Sequence, residues 1–431
     1  MTNFVIICAD DMRWDLLRAM PSTHAMGARF TNMHNANPVC CASRASALTG
    51  LYARSTTIYG NSPPLGGEQQ FRRAGLESRT IAKSLRDAGY LTALMGKYLN
   101  GYQRSDISHV PEGWSKFLAI AAGGDAYYDV AFSEDGDLTV TPPTVYLTHY
   151  LADRAVAYIR ARAADRSPFL LWVTPTAPHR DFVPAPLDAR SFPHLAPWRP
   201  ASFNEVDMAD KPDFYRNVPP LTREEIHEVD NIRLQQHRTI RGLDRLVDRV
   251  ARELARPELD DTFLLFWSDN GFMWGEHRLV GKGVPYLEAT RSPLVIRWSG
   301  MATPDTDAVL SNVDIAPTIA DIADVDAGPF DGVSFKPQLQ GRAGPETVYV
   351  EHHALGRQPA WATAQRRRRT YIWHSTGEEE WYHLEDDPLQ RHNRLRVGTR
   401  PDPADLADAR AFVRDQLSHG MPPGMPRRPP A

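Results

Sequence analysis

The sequence predicts an α/β protein: a three-layer sandwich around a large, mostly parallel mixed sheet, followed by a small α+β subdomain carrying an antiparallel sheet. Two observations carry this expectation. Short continuous apolar runs alternate with helical stretches as far as about Gly341, the pattern of strands covered on both faces. Beyond Gly341 the strand-like runs alternate in polarity instead, as in a sheet with one face on a core. The division expected is therefore a main domain over 1–340, a subdomain over 341–420 and a disordered tail over 421–431.

The buried runs are Phe4 to Cys8, Leu91 to Met95, Phe169 to Val173, Phe263 to Trp267 and Pro293 to Arg297. Helical patterns lie between them at Ser43–Leu51, Thr80–Ala88, Tyr146–Ala163 and Thr222–Leu254. The last opens with Thr222 and an acid three positions on at Glu225, a capping-box signature. From 183 to 220 the chain is rich in proline and aromatics without a period, which reads as a long surface insertion. In the subdomain, Thr347–Glu351, Thr370–His374 and Glu380–Leu384 read as antiparallel strands and Asp402–Leu417 as a helix. The tail from Met421 to Ala431 is too proline-rich to pack.

Hydrophobic residues make up 42% and charged residues 24%, with a formal net charge of −4, so an ordinary globular protein is expected and a general nucleic-acid binder is not. No apolar run approaches the roughly 20 residues of a membrane-spanning helix. Met1-Thr2-Asn3 passes directly into a strand-like run, without the basic and apolar regions of a secretory signal. A cytoplasmic protein without membrane association is the expectation, or a secreted one if the N-terminus was trimmed. The three cysteines, Cys8, Cys40 and Cys41, offer no disulfide framework. Lysine is scarce, at six positions, so a lysine beside a candidate site carries extra weight.

Four buried runs end in reactive residue types: Asp10-Asp11, Lys97, Pro175 to His179, and Asp269-Asn270. In open α/β sheets ligands bind beyond the carboxyl ends of the strands, which predicts that these groups converge. Asp10, Asp11, Asp269 and Asn270 present only oxygen ligands, the hard set that suits Ca²⁺ or Mg²⁺. Either pair alone also reads as a turn or helix cap. In Asn37-Pro38-Val39-Cys40-Cys41-Ala42-Ser43-Arg44, proline precedes a helix start, which places Cys40 beside a helix N-terminus with Arg44 in its first turns, an anion-binding setting. The alternative there is a pair of small buried core cysteines.

Cys40-Cys41-Ala42-Ser43-Arg44 followed by Thr49-Gly50 resembles the signature of the formylglycine-dependent sulfatases, of the alkaline phosphatase-like superfamily. Ile6 to Asp11, Gly96 to Asn100, Ala177-Pro178-His179, Ser268 to Gly271, Gly275 to Leu279 with Lys282, Asn312 to Thr318 and Tyr382 to Pro388 are similar to further family segments in the family's order. The double cysteine and Gly-Lys-Tyr-Leu-Asn look most like the N-acetylglucosamine-6-sulfatase branch. The resemblance implies a sulfatase that hydrolyses an O-sulfate ester of a sugar or other small alcohol. It implies that a formylglycine-generating maturation enzyme oxidises Cys40 to formylglycine, whose hydrate attacks sulfur with one hydroxyl and expels sulfate with the other. One calcium ion per chain would be held by Asp10, Asp11, Asp269 and Asn270, with Cys40 in the same set, and Asp269 would also accept a proton. Arg44, Lys97 and Lys282 would neutralise sulfuryl oxygens, and His179 would protonate the leaving oxygen.

Two positions depart from the common pattern. Ala42 stands where most members have proline, a known variant, and Leu99 and Asn100 stand where many have histidine. Asn100 would donate an amide hydrogen bond to substrate but cannot act as an acid. A phosphonate monoester or phosphodiester hydrolase with the same site is a rival reading. A non-catalytic anion- or glycan-binding protein lacking formylglycine is a rival of another class, disfavoured because a binder has no need of proton-transfer groups. His277 reads equally as a substrate contact or as a support behind the site. Arg366–Arg369 reads as a solvated sheet edge, His227 and His237 as surface or packing residues, and the aromatics of the 183–220 insertion as packing groups.

Overall fold

The computed structural model describes residues 1–102, 106–122, 126–302, 304 and 306–424. Sixteen strands are found among these residues: β1 Asn3–Ala9, β2 Ala28–His34, β3 Leu91–Gly96, β4 Lys116–Ala122, β5 Ala131–Glu134, β6 Asp137–Val140, β7 Phe169–Thr174, β8 Thr262–Ser268, β9 Met273–Trp274, β10 Val280–Gly281, β11 Arg291–Arg297, β12 Val309–Ser311, β13 Thr347–His352, β14 Trp361–Arg366, β15 Arg369–His374 and β16 Glu379–His383. Ten of them form one mixed sheet in the order β12-β2-β11-β8-β1-β7-β3-β4-β5-β6. Its centre, β8-β1-β7-β3-β4, is parallel throughout; β11 pairs antiparallel with both β8 and β2, β5 antiparallel with both β4 and β6, and β12 parallel with β2. The five apolar runs of the sequence are β1, β3, β7, β8 and β11.

Alternate residues of each central strand serve opposite faces, which makes two cores. Val5, Ile7, Leu171 and Phe266 pack against α3 (Leu147–Asp165) and α4 (Arg223–Glu253). Phe4, Ile6, Leu170 and Leu265 pack against α1 (Cys40–Thr49), α2 (Ile81–Asp87) and α5 (Ile315–Ala323). Thr222 and Glu225 form the expected capping box of α4. The sheet β13-β14-β15-β16 is antiparallel, and its Tyr349, Ala362 and Tyr371 join Val413 and Leu417 of α6 (Pro403–Ser418) in a third core.

One of these readings needs correction. Met421–Gly424, assigned to a disordered tail, pack: the carbonyl of Pro423 accepts from Ala354 N at 2.9 Å, and Pro422 is buried. The rest of that tail lies outside the described residues. Aromatics of the insertion do pack, Trp198 over Arg13 and Tyr215 between Tyr286 and His374. Arg366–Arg369 form the β14–β15 turn and pair with acids, Arg367 with Asp307, Arg368 with Glu385 and Arg369 with Asp405. His237 is buried on Trp274 and His227 is exposed.

Glu351 on β13 is a buried acid whose carboxyl burial pushes up to about 7, against the pull of Arg54 and hydrogen bonds from Arg54 N and Tyr349, with Asp331 adding to the rise. Its folded value exceeds the ordinary 4.5, so the folded chain holds a proton that the unfolded chain releases. That contribution is whole below the unfolded value and is lost as pH rises through about 7. Glu351→Gln is expected to flatten the fall in stability between about pH 5 and pH 8 by up to ~3 kcal/mol. Urea unfolding at the two pH values measures it, and an unchanged slope would mean the carboxyl is ionised in the fold.

Candidate active site

The carboxyl ends of β3, β7, β1 and β8 lie side by side, with Gly96 opposite Thr174, Ile7 opposite Val173 and Ala9 opposite Ser268. The loops that follow are stitched together: Lys97 N donates to Thr174 O at 2.8 Å, Asp10 N to Ala177 O at 3.2 Å and Asp269 N to Ala9 O at 3.2 Å. Gly96 has φ +119, and a Cβ there would lie 2.2 Å from Thr174 O, so glycine is what lets Lys97 leave the strand here. Asp11 adopts a left-handed conformation (φ 61) and donates its N–H to Asp269 Oδ1 at 3.1 Å. Aspartate tolerates that region better than most side chains.

Helix α1 begins at Cys40, earlier than the sequence indicates, because its cap comes from elsewhere in the chain. Val39 makes no side-chain cap, whereas Asn61 Oδ1 accepts from Cys41 N at 3.0 Å. Asn312 adds a second anchor, accepting from Ala36 N and donating to Ser43 O and Oγ. Cys40 is thereby aimed at the strand ends: its Sγ lies 3.4 Å from Asp10 Oδ1 and 3.7 Å from Asp11 Oδ1, and Lys282 Nζ approaches it at 2.7 Å.

The remaining expected groups gather around this sulfur. Lys97 Nζ donates to Asp10 Oδ2 at 2.5 Å, Arg44 Nε to Asp269 Oδ2 at 2.7 Å, and Arg44 Nη1 to Lys97 O at 2.8 Å. Lys282 also bonds Asp11 Oδ1 and lies 3.4 Å from Asn270 Oδ1, while Asn270 Nδ2 donates to Asp11 Oδ1 at 2.8 Å. His179 Nε2 stands 3.7 Å from Asp11 Oδ2, and Tyr127 fixes the His179 carbonyl with a 2.8 Å hydrogen bond.

Burial and charge act together on these groups. Burial raises the Asp10 carboxyl, but Lys97, His179, Arg44 and Lys282 more than reverse this and hold it well below the usual carboxylate range. Asp11 is also lowered, since Lys282 and His179 outweigh burial. Asp269 is raised, because burial and the charge of Asp10 outweigh Arg44. Burial pushes the Cys40 thiol up despite Lys282 and Lys97, so an unmodified Cys40 is a protonated thiol and a poor nucleophile.

Ligand atoms of Asp10, Asp11, Cys40 and His179 all lie within 4.8 Å of one another. The ammonium of Lys282 stands among Asp11 Oδ1, Asn270 Oδ1 and Cys40 Sγ, a cation in the place where a metal ion would fit. The oxygen donors of this group, from Asp10, Asp11 and Asn270, suit a hard divalent ion. Asp269 spends both oxygens on Asp11 N and Arg44.

Asn100 lines a neighbouring cavity of about 280 Å³ with Asn61, Gly67 and Glu68, and its buried Oδ1 finds no hydrogen-bond partner among the described residues. Leu99 is in the core. His277 is buried, its Nδ1 2.7 Å from Glu205 and its ring on Tyr286, which ties it to its own loop. Reasoning from sequence missed Asn61, Tyr127 and the pair Arg13–Glu276, joined at 2.7 Å beneath Trp274. The basic residue three positions after Asp10 was the one signal for Arg13.

A family model named Sulfatase matches residues 2–325, and one named N-sulphoglucosamine sulphohydrolase, C-terminal, matches residues 275–400. An arylsulfatase of Volvox carteri is 30% identical over 361 residues, covering 74% of this chain and 55% of that protein. An N-acetylglucosamine-6-sulfatase of Capra hircus is 30% identical over 377 residues, covering 82% of this chain and 67% of that one. The chain thus spans between about half and two thirds of the length of these relatives. A protein solved in complex with its substrate D-glucosamine-2-N,6-O-disulfate shares the fold, with a TM-score of 0.82 at 22% identity over 97% of this chain and 98% of that chain.

Proposed function

The chain belongs to the sulfatase family, and from that premise we propose that it hydrolyses an O-sulfate ester of a sugar or other small alcohol at Cys40. The observation that carries the reading is the single cluster in which Cys40 Sγ, three carboxylates and three permanent cations from five separate segments meet. Formylglycine made from Cys40 would supply a hydrated aldehyde as nucleophile, and a calcium ion held by Asp10, Asp11, Asp269 and Asn270 beside Cys40 would supply Lewis acidity toward a sulfate oxygen, with Asp269 also placed to accept a proton.

Three carboxylates face Arg44, Lys97 and Lys282, so the protein groups alone nearly cancel, and a divalent ion would leave a positive pocket suited to an anionic ester. Lys97 and Lys282 stand where charge develops on sulfuryl oxygens, in a setting that excludes most water. Arg44 holds Asp269 and the Lys97 carbonyl in place. His179, at the edge of the cluster, carries the proton for the leaving oxygen.

The test is peptide mass spectrometry of Cys40 after co-expression with a formylglycine-generating enzyme, followed by a panel of sulfate esters, phosphodiesters and phosphonate monoesters. Aldehyde at Cys40 with preferred sulfate turnover supports the reading. Preference for P–O bonds transfers it to the rival hydrolase, and sulfate-ester binding without turnover transfers it to a binding protein. Calcium at a hundred times its Kd is expected to stabilise the fold by about 2.7 kcal/mol. Asp11→Asn should remove most of that gain in thermal unfolding; an undiminished gain would place the ion elsewhere.

A further inference from the structure

We propose that Trp361 and Gln358, on and just before β14 of the C-terminal sheet, are positioning residues for Lys282, acting through the carbonyl of Gly283. This rests on the sulfatase reading of the Lys282 site. Lys282 directly follows the second strand of the short β9–β10 hairpin. It lies between Gly281 (φ +101) and Gly283 (φ +82), the residue type with the most conformational freedom. On its N-terminal side the chain is held by the two-residue ladder of β9 and β10. On its C-terminal side, Gly283 O accepts from Gln358 Nε2 at 2.5 Å and from Trp361 Nε1 at 3.2 Å.

The donors are themselves fixed. Trp361 is fully buried and stacks on His352 with ring centroids 5.8 Å apart and planes 11° from parallel. A Cβ at position 283 would stand 3.2 Å from His352 Nε2, so this ring closes the space beside Gly283. The C-terminal sheet thus clamps one carbonyl with two N–H groups, one residue from the ammonium that lies 2.7 Å from Cys40 Sγ. Released from the clamp, a lysine flanked by two glycines would wander by an ångström or more, a displacement that can cost about 10²-fold in rate.

The test is a double-mutant cycle on the aldehyde-bearing holoenzyme, with Lys282→Ala, Trp361→Phe and the combination, rates being normalised to aldehyde content by mass spectrometry. Trp361→Phe keeps an aromatic ring and removes the N–H. It is expected to lower kcat/KM by about tenfold, with part of that loss in anion binding, and to lower it no further in the Lys282→Ala background. Gln358→Met, at a half-buried position, runs the same cycle should Trp361→Phe fail to fold. Equal losses with and without Lys282 would overturn the proposal, since a merely structural role is additive. The same cycle read by calorimetric binding of inorganic sulfate needs no turnover. A parent that binds sulfate with the expected coupling but cleaves no sulfate ester would sink the sulfatase reading and leave the positioning intact.

Discussion

Cys40→Ser is expected to reduce turnover by about 10⁴-fold or more, whereas Cys41→Ser should change kcat by less than about threefold. The two thiols are adjacent in sequence but enter different environments. Cys40 Sγ faces Asp10, Asp11 and Lys282. Cys41 packs with Phe4, Ala45 and Leu48 in the core beneath the sheet, and burial raises its thiol to about 12. A serine at 40 would form at best a sulfate ester that water must break, while the proposed aldehyde hydrate carries its own elimination route. A serine at 41 instead buries a hydroxyl, with a cost of about 1–3 kcal/mol in stability that leaves the chemistry alone. Steady-state rates normalised to folded protein, with thermal unfolding alongside, separate the two effects. Comparable kinetic losses at both positions would refute the register in which Cys40, four residues before Arg44, is the reacting group.

His179→Ala is expected to depress hydrolysis of sugar sulfates by about 10²–10⁴-fold more than that of nitrophenyl sulfate. A phenolate leaves readily, whereas a sugar alkoxide needs a proton as the S–O bond breaks. Leu99 is buried in the core and Asn100 has no acidic proton, which makes His179 the principal candidate acid beside the cluster. Its place is set by the Tyr127 hydrogen bond to its carbonyl and by the approach of its ring to Asp11. Asn100→Ala should act on both substrates alike and mainly through KM, if the amide only positions bound ester. Measuring kcat/KM for both variants on both substrates decides the matter; equal losses for aryl and sugar sulfates in the His179 variant would pass the role to Lys282 or to water.

The strands that build the site were legible because they are central and parallel. β1, β3, β7 and β8 are covered on both faces and read as unbroken apolar runs, and the chemistry-bearing residues follow them directly. The strands at the flanks were not. β2 carries Thr31, Asn32 and His34, β6 is largely exposed, and β12 has three residues, so none offers a run or a clear alternation. The edge strands borrow their conformation from partners already in the sheet, and the parallel centre supplies those partners.

The site divides in the same way. Asp10, Asp11, Cys40, Arg44, Lys97, His179, Asp269, Asn270 and Lys282 could be named from residue type, local position and family motif. Their distances could not, because Arg44 meets Asp269 across 225 positions and Lys282 meets Asp11 across 271. Asn61 capping Cys41, Arg13 beneath Trp274 and the two donors on Gly283 leave no local trace, since each is an ordinary polar or aromatic side chain until the fold brings its partner to it. Sequence by itself determined which groups stand at the ends of buried strands and therefore the kind of chemistry available. Only the tertiary structure decided which groups touch, because strand order and register set spacing across the sheet, and neither is encoded within any one segment.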